Sequence, residues 1–309
     1  MRQGEVSAKG AWVGDPQGGV KAPEPILSPD PRLRFSRTAA RLDSLAHNHP
    51  AGDWLRFMAR LSRAQDAARL ALEGLPPFDA GALARAVEAR MPPLAVDGHR
   101  RPDLWRAGFR AMLRALDATQ TPAPARRVVE ALRAADEGEL EALADAFVHE
   151  ALEPDRAGEA LFVAAALQVY FTCAAAAPPV SALRLLPERG LCPCCGSTPV
   201  AGLVTASGQT PGARYLYCSL CGTAWNYVRA LCVACGDSRT LTMRAFEGEE
   251  LVKAETCEAC GTYAKMIYQA KDMDADPYAD DLASLALDLA VSEAGWARHA
   301  PNPLLLVGA

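Results

Sequence analysis

The sequence predicts an α+β protein of several domains. An all-α N-terminal domain is followed by two tandem four-cysteine modules of the zinc-ribbon or rubredoxin type and by a C-terminal helix. Three observations carry this prediction. Apolar residues recur at helical spacing before residue 190, short apolar segments separated by glycine turns follow, and four Cys-x-x-Cys-Gly motifs lie among those segments.

The composition divides the chain into five segments. The first is rich in Gly and Pro and is expected to be a flexible tail, and the change to strand-like segments near Leu191 ends the helical part. The predicted segments are the tail at 1–30, the helical domain at 31–189, the first metal module at 190–230, the second at 231–271, and a C-terminal helix with its tail at 272–309.

The helical domain is predicted from repeated apolar stripes. The segment 53–72 places Trp54, Leu55, Met58 and Leu61 near one face, and 102–116 repeats this design. Asp79 and Asp155 stand where N-caps are expected. Further helices are predicted near 36–47, 79–91, 122–134, 138–150 and 156–177, and a C-terminal one at 279–294.

The overall charge and the apolar segments limit the function classes. The chain of 309 residues has a net charge of −5, and residues 190–309 carry 8 Lys and Arg against 13 Asp and Glu. A module of that sign repels phosphates, so nucleic-acid binding is disfavoured. The apolar run 160–177 is Ala-rich and contains Gln168, which favours a buried core helix over a membrane span. No secretory signal opens the chain, so we expect a cytoplasmic protein without stable membrane insertion.

The four motifs form an internal repeat. The first and third cysteine pairs are offset by 40 positions and the second and fourth by 39. Two thiolates three positions apart, on a turn closed by glycine, supply half of a tetrahedral site, so a hairpin must supply the other half. One site is predicted from Cys192, Cys195, Cys218 and Cys221, and a second from Cys232, Cys235, Cys257 and Cys260. A cross-braced pairing, first motif with third and second with fourth, remains open.

Four thiolates around one ion leave no position for a water or a substrate, which argues against hydrolytic metal catalysis. Such a site suits zinc and a single rubredoxin-like iron equally well. The sequence also lacks the GxGxxG, Walker A, GxSxG and HExxH motifs of common enzyme classes. Catalytic residues are therefore not expected. A redox protein that uses iron or a dithiol, with Cys194 as a reactive thiol, is the alternative.

Two other patterns carry no predicted site. Asp272, Asp274 and Asp276 resemble the start of a calcium loop, but Pro277 replaces the required glycine. Arg106, Arg110 and Arg114 recur every four residues and are interpreted as a solvated helix face.

These residues carry a resemblance to a known family. The stretches LCPCCGSTPVAGLV, RYLYCSLCGTAW, KAETCEACGTYAKMIYQAKD and ADDLASLALD occur in the order found in the FdhE family of formate dehydrogenase accessory proteins. The resemblance is strong over about 190–306 and weaker over 37–65. It implies a cytoplasmic, non-catalytic maturation factor that contacts the catalytic subunit of formate dehydrogenase. It also implies two mononuclear metal ions on the eight cysteines, with iron preferred and zinc as the other candidate.

Aromatic residues follow the motifs on short strands. Trp225, Tyr227, Tyr263 and Tyr268 are candidate partner-binding residues, because aromatic side chains on a rigid scaffold make good interface anchors. Packing between the two modules is an equally good explanation for any one of them.

Overall fold

The computed structural model of this protein describes residues 22–76, 78–151, 153–208, 210–300 and 302–305. Its helices are α1 (Pro31–Leu45), α2 (Gly52–Arg69), α3 (Ala80–Glu88), α4 (Leu104–Ala115), α5 (Ala123–Ala134), α6 (Glu137–Val148), α7 (Ala157–Ala175), α8 (Ala279–Ala283) and α9 (Leu285–Glu293). Its strands are β1 (Ile26–Leu27), β2 (Pro199–Val204), β3 (Arg214–Cys218), β4 (Ala224–Asn226), β5 (Leu241–Arg244), β6 (Val252–Cys257), β7 (Thr262–Tyr268) and β8 (Ala297–Arg298). The predicted α+β class is confirmed.

Helix α7 lies at the centre of the helical part and contacts α1, α2, α4, α5 and α6. It is apolar and buried on nearly all sides, as expected of a core helix. The segment Pro154–Ala175 is long and apolar enough to cross a membrane, but 67% of its apolar window is buried inside the protein. The prediction of a buried helix at 160–177 is therefore confirmed.

Aspartate side chains begin several helices. Asp30 caps α1 by accepting from the Arg32 amide, and Asp79 caps α3, as predicted, by accepting from the Gly81 amide. The same prediction for Asp155 is wrong. Asp155 lies in a short 3-10 turn, and α7 begins after it without a side-chain cap.

One mixed sheet joins the two cysteine modules. Its strand order is β1-β4-β3-β2-β7-β6-β5, and β8 pairs with β7. Each module forms an antiparallel hairpin, and the parallel pair β2–β7 connects them, with Gly202 opposite Met266. A side chain at Gly202 would collide with Met266, since an added Cβ would lie 2.5 Å from Met266 Sδ. The tandem spacing in the sequence did not indicate this shared sheet.

The predicted flexible tail at 1–30 is corrected in its last part, whereas residues 1–21 lie outside the described residues. Strand β1 pairs with β4, with Ile26 opposite Trp225, and the Ile26 side chain is buried. The sequence analysis did not predict this strand. A strand of two residues is too short to leave an alternating pattern in the sequence.

Two apolar cores organise the fold. The larger one contains the helical part together with the first cysteine cluster and Trp225. The smaller one lies between the sheet and α9. The C-terminal helical segment, predicted as one helix, divides at Ser284, whose hydroxyl donates to the carbonyls of Asp280 and Asp281.

Candidate metal centres

Each Cys-x-x-Cys-Gly motif folds into a tight turn. The four motif glycines all have positive φ, between +70° and +80°, a conformation that glycine adopts without strain. In three of the turns the glycine amide donates to the carbonyl of the first cysteine, at 2.9–3.0 Å for Gly196, Gly236 and Gly261. The turn therefore directs both sulfurs of a motif toward one point.

The hairpins bring the motifs together in sequential pairs. In the first cluster Cys192 Sγ lies 3.5 Å from Cys221 Sγ, and Cys195 Sγ lies 3.4 Å from Cys218 Sγ. All four of these side chains are buried. The cross-braced alternative is not what the structure shows, because the β2–β3 hairpin joins the first motif to the second.

The second cluster has the same arrangement at slightly longer distances. Cys232 Sγ lies 3.8 Å from Cys260 Sγ, and Cys235 Sγ lies 3.7 Å from Cys257 Sγ. Here Cys235 is exposed and Cys260 is half-buried. The β5–β6 hairpin joins the third motif to the fourth, because β5 follows Cys235 and β6 ends at Cys257, opposite Leu241.

Both clusters fit a tetrahedral metal ion. Metal–sulfur bonds of about 2.3 Å at tetrahedral angles place sulfurs about 3.8 Å apart. Within each cluster the four sulfurs lie within 4.8 Å of one another. The cysteines are not joined as disulfides, so their thiols are free to bind an ion. The two clusters can each hold one metal ion.

Burial determines the electrostatics of the first cluster. It raises the pKa of Cys192, Cys195 and Cys221 well above the usual range of a thiol. Burial acts to raise the pKa of Cys218 as well, but hydrogen bonds from the other thiols and the Cys221 amide lower it well below that range. Several thiolates can therefore coexist here only with a cation, whose binding displaces the protons.

In the second cluster, burial also acts to raise the pKa of Cys257. Hydrogen bonds from the Thr240 hydroxyl and the Cys260 amide outweigh it and lower that pKa to about 7. Burial raises the pKa of Cys232 to about 12.

Helices of the N-terminal part support the first cluster directly. Gln168 of α7 donates to the Ser219 carbonyl at 2.8 Å and accepts from Gln65 of α2 at 3.0 Å. Arg34 of α1 donates to Thr172 Oγ1 and, at 2.8 Å, to the Leu220 carbonyl. The turn that carries Cys218 and Cys221 is thus bonded directly to α1 and α7, and through Gln168 to α2.

Comparison with known proteins agrees with this architecture. Three family models match the chain: FdhE, N-terminal, at residues 23–187; FdhE, central domain, at 191–229; and FdhE, C-terminal domain, at 230–305. The chain belongs to the FdhE family. The predicted resemblance is confirmed.

Relatives in the FdhE family match over nearly their whole length. A protein FdhE homolog of Pseudomonas aeruginosa is 39% identical over 294 residues, covering 92% of this chain and 94% of the relative. Protein FdhE of Salmonella typhimurium is 38% identical, with 92% of each chain covered. The crystal structure of the FdhE protein from Pseudomonas aeruginosa superposes with a TM-score of 0.82 at 37% identity, covering 93% of this chain and all of that one.

Three of the four aromatic residues predicted to bind a partner are buried in this FdhE-family chain, which corrects that prediction. Trp225 is fully buried and its Nε1 donates to the Arg189 carbonyl. Tyr227 donates to the Cys232 carbonyl and Tyr263 to Asp288. Their faces of the sheet are covered by other parts of the chain. Tyr268 is half-buried, with its hydroxyl 3.8 Å from Met243 Sδ.

Cys194 does not have the exposure expected of a reactive thiol. It is buried, lies outside the four-sulfur cluster, and its carbonyl accepts from the Leu94 amide at 2.8 Å. The alternative of a redox-active Cys194 therefore has no accessible sulfur to support it.

Arg106 of the arginine stripe and Asp272 of the aspartate run make intramolecular ion pairs, so the interpretation of the stripe as a solvated face is corrected at Arg106, whose side chain is 13% exposed. Arg106 pairs with Asp103, Glu137 and Glu141. Arg41 pairs with both Asp272 and Asp280. These ion pairs fix α4 on α6 and α1 on α8.

The sequence analysis missed a buried ionic cluster on β7. Lys265 Nζ, with a fully buried side chain, lies 2.9 Å from Asp281 Oδ1 and 2.6 Å from Asp288 Oδ2, and Arg298 pairs with both aspartates. A signal was present. Lys265 lies two positions from both Tyr263 and Ile267, so it shares the inward face of the strand with them. A charge buried on that face needs a partner.

Proposed function

We propose that this protein is an accessory factor in the maturation of formate dehydrogenase, that it binds the catalytic subunit in the cytoplasm, and that it is not an enzyme. Membership of the FdhE family supports formate dehydrogenase as the protein that this factor acts on. The absence of catalysis is supported by the geometry, since each site is a closed set of four sulfurs.

Each cluster is proposed to hold one metal ion, with iron preferred over zinc. Cys192, Cys195, Cys218 and Cys221 would hold the first ion, and Cys232, Cys235, Cys257 and Cys260 the second. Either metal would tie the two turns of a module together, and iron would in addition supply one-electron chemistry. The chain's own residues hold the turns in place, through the bonds of Gln168 and Arg34 to the first cluster.

The alternative is a rubredoxin-like redox protein that acts on the dehydrogenase. One observation favours it: the second cluster reaches the surface at Cys235, where an electron or a partner's thiol has access. Nucleic-acid binding receives no such support, because Arg106 is paired with carboxylates.

The contact with the catalytic subunit is proposed to lie on the cysteine-rich half. In the described chain β5 pairs only with β6, so its other edge is open. The connection that follows exposes Phe246, 50% accessible, and Met243 on β5 is 44% accessible. Exposed apolar side chains beside an open strand edge are suited to partner binding.

The test is co-purification of the immature catalytic subunit with a tagged copy of this protein. We expect Phe246→Ala to weaken recovery of the subunit. Leu70→Ala is the matched control, because Leu70 is at least as exposed, at 58%, but lies on the helical half. An unchanged recovery with Phe246→Ala together with a loss for Leu70→Ala would place the contact on the helices. Turnover of formate by the purified protein would refute the accessory assignment.

A further inference from the structure

The two four-cysteine clusters have the same ligands and similar geometry but very different surroundings. All four side chains of the first cluster are buried, whereas Cys235 of the second is exposed and Cys260 half-buried. The internal repeat thus offers a comparison in which the ligand set is constant and only the enclosure differs.

The motif glycines measure this difference at matched positions. An added Cβ at Gly196 would lie 3.2 Å from Pro92 Cγ, and one at Gly222 would lie 2.9 Å from Arg34 Nη1. At Gly236 and Gly261, by contrast, no heavy atom lies within 4 Å. Both turns of the first cluster are covered by the helical half, and both turns of the second face open space.

Hydrogen bonds from outside the modules show the same contrast. The first module receives them from the Leu94 and Val96 amides on the carbonyls of Cys194 and Cys195, and from the Tyr278 hydroxyl on the Cys218 carbonyl. Gln168 and Arg34 add two more.

The two cysteine motifs of the second module, at 232–236 and 257–261, receive two bonds from outside that module, one of them from Tyr227 of the first module. The Tyr227 hydroxyl donates to the Cys232 carbonyl at 2.7 Å, and the Ala297 amide donates to the Gly261 carbonyl at 3.0 Å. Neither covers Cys235, which stays exposed.

We propose that the second cluster is a metal-exchange site for a soft divalent ion such as Zn²⁺ or Fe²⁺, and that the first keeps its ion for the lifetime of the fold. This inference rests on the proposed filling of both clusters. Exchange would begin at Cys235, the exposed cysteine that an incoming ligand can reach, and each thiolate released from the ion would take a proton from the solvent. Release from the first cluster requires local unfolding of the main core, which is a rare event.

The experiment follows metal release from the full-length protein loaded with zinc. An excess of the chromogenic chelator 4-(2-pyridylazo)resorcinol is added and its absorbance recorded. We expect two phases of one equivalent of zinc each. The fast phase is release from the second cluster, and it should be at least about 100-fold faster than the slow phase, because only release from the first cluster requires opening of the core.

N-ethylmaleimide added after the fast phase, followed by peptide mass spectrometry, assigns the phases. We expect modification of Cys232, Cys235, Cys257 and Cys260, with protection of Cys192, Cys195, Cys218 and Cys221. Cys235→Ser is expected to abolish the fast phase alone. Because its counterpart Cys195→Ser can fail to fold, the modification pattern of the unaltered protein decides the matter.

Equal release rates from two filled clusters, or modification of the first cluster in the fast phase, would overturn this inference and leave the proposed metal binding intact. A folded protein that takes up no metal in either cluster would overturn both.

Discussion

Replacing the motif glycines by alanine measures how much the contacts of the helical half stabilise the first cluster. Gly222 and Gly261 close equivalent turns with φ of +78° and +70°. An alanine in this left-handed conformation costs about 1–2 kcal/mol at either position. At Gly261 nothing more is added, because the new Cβ meets no atom within 4 Å.

At Gly222 the new methyl group collides with Arg34. It would lie 2.9 Å from Nη1 and 3.2 Å from Cδ and Cζ. Arg34 can move only by giving up its bonds to Thr172 and to the Leu220 carbonyl. Two lost hydrogen bonds add about 1–3 kcal/mol. Gly222→Ala is therefore expected to lower the free energy of unfolding by about 2–5 kcal/mol in total.

The assay is urea unfolding of the zinc-loaded protein at a fixed free zinc concentration, followed by circular dichroism. Gly248→Ala is the control for the backbone cost. Gly248 has φ of +80°, an added Cβ there would meet no atom within 4 Å, and it lies outside the Cys-x-x-Cys-Gly motifs. Equal destabilisation by Gly222→Ala and Gly261→Ala would refute the claim that the helices hold the first cluster.

Three further predictions concern pH, a buried charge and the metal. Burial, and then the nearby Arg101, lower the pKa of His99, so below about pH 6.5 the unfolded chain binds a proton that the folded chain resists. At fixed metal content the free energy of unfolding, measured with urea, should therefore fall between pH 7.5 and 5.5, by up to about 1.4 kcal/mol per pH unit. The fall should be smaller in His99→Asn. Lys265→Met removes a cation from buried carboxylates and should lower the free energy of unfolding by about 3–5 kcal/mol, with faster hydrogen exchange in α8 and α9. Lys271→Met is the control and should be nearly neutral, because the ion pair of Lys271 is exposed. Iron-loaded protein should show rubredoxin-like visible absorption that bleaches on reduction, and zinc-loaded protein should be colourless; iron-loaded protein without that absorption would contradict four-sulfur coordination.

The cysteine clusters could be predicted because their information is local. A Cys-x-x-Cys-Gly turn is contiguous in the chain, and a hairpin is the shortest way to join two of them. The apolar helix α7 could be predicted for the same reason, since its composition alone requires burial.

Long-range packing could not be predicted in this way. Nothing in the spacing of the motifs indicates that β2 pairs with β7, because two strands of similar composition have many possible neighbours. The burial of Trp225 depends on which face of the first hairpin the helices cover, and no property of the residues beside it specifies that face. An aromatic residue on a short strand suits a core and an interface equally.

The most direct test of the central claim is the formate dehydrogenase activity of cells that lack this protein and have no second copy of it. We expect the activity to be lost on deletion, restored by the unaltered protein, and not restored by Cys218→Ser, which removes one of the four sulfurs of the buried cluster. Undiminished formate dehydrogenase activity in the deletion strain would contradict the proposed function.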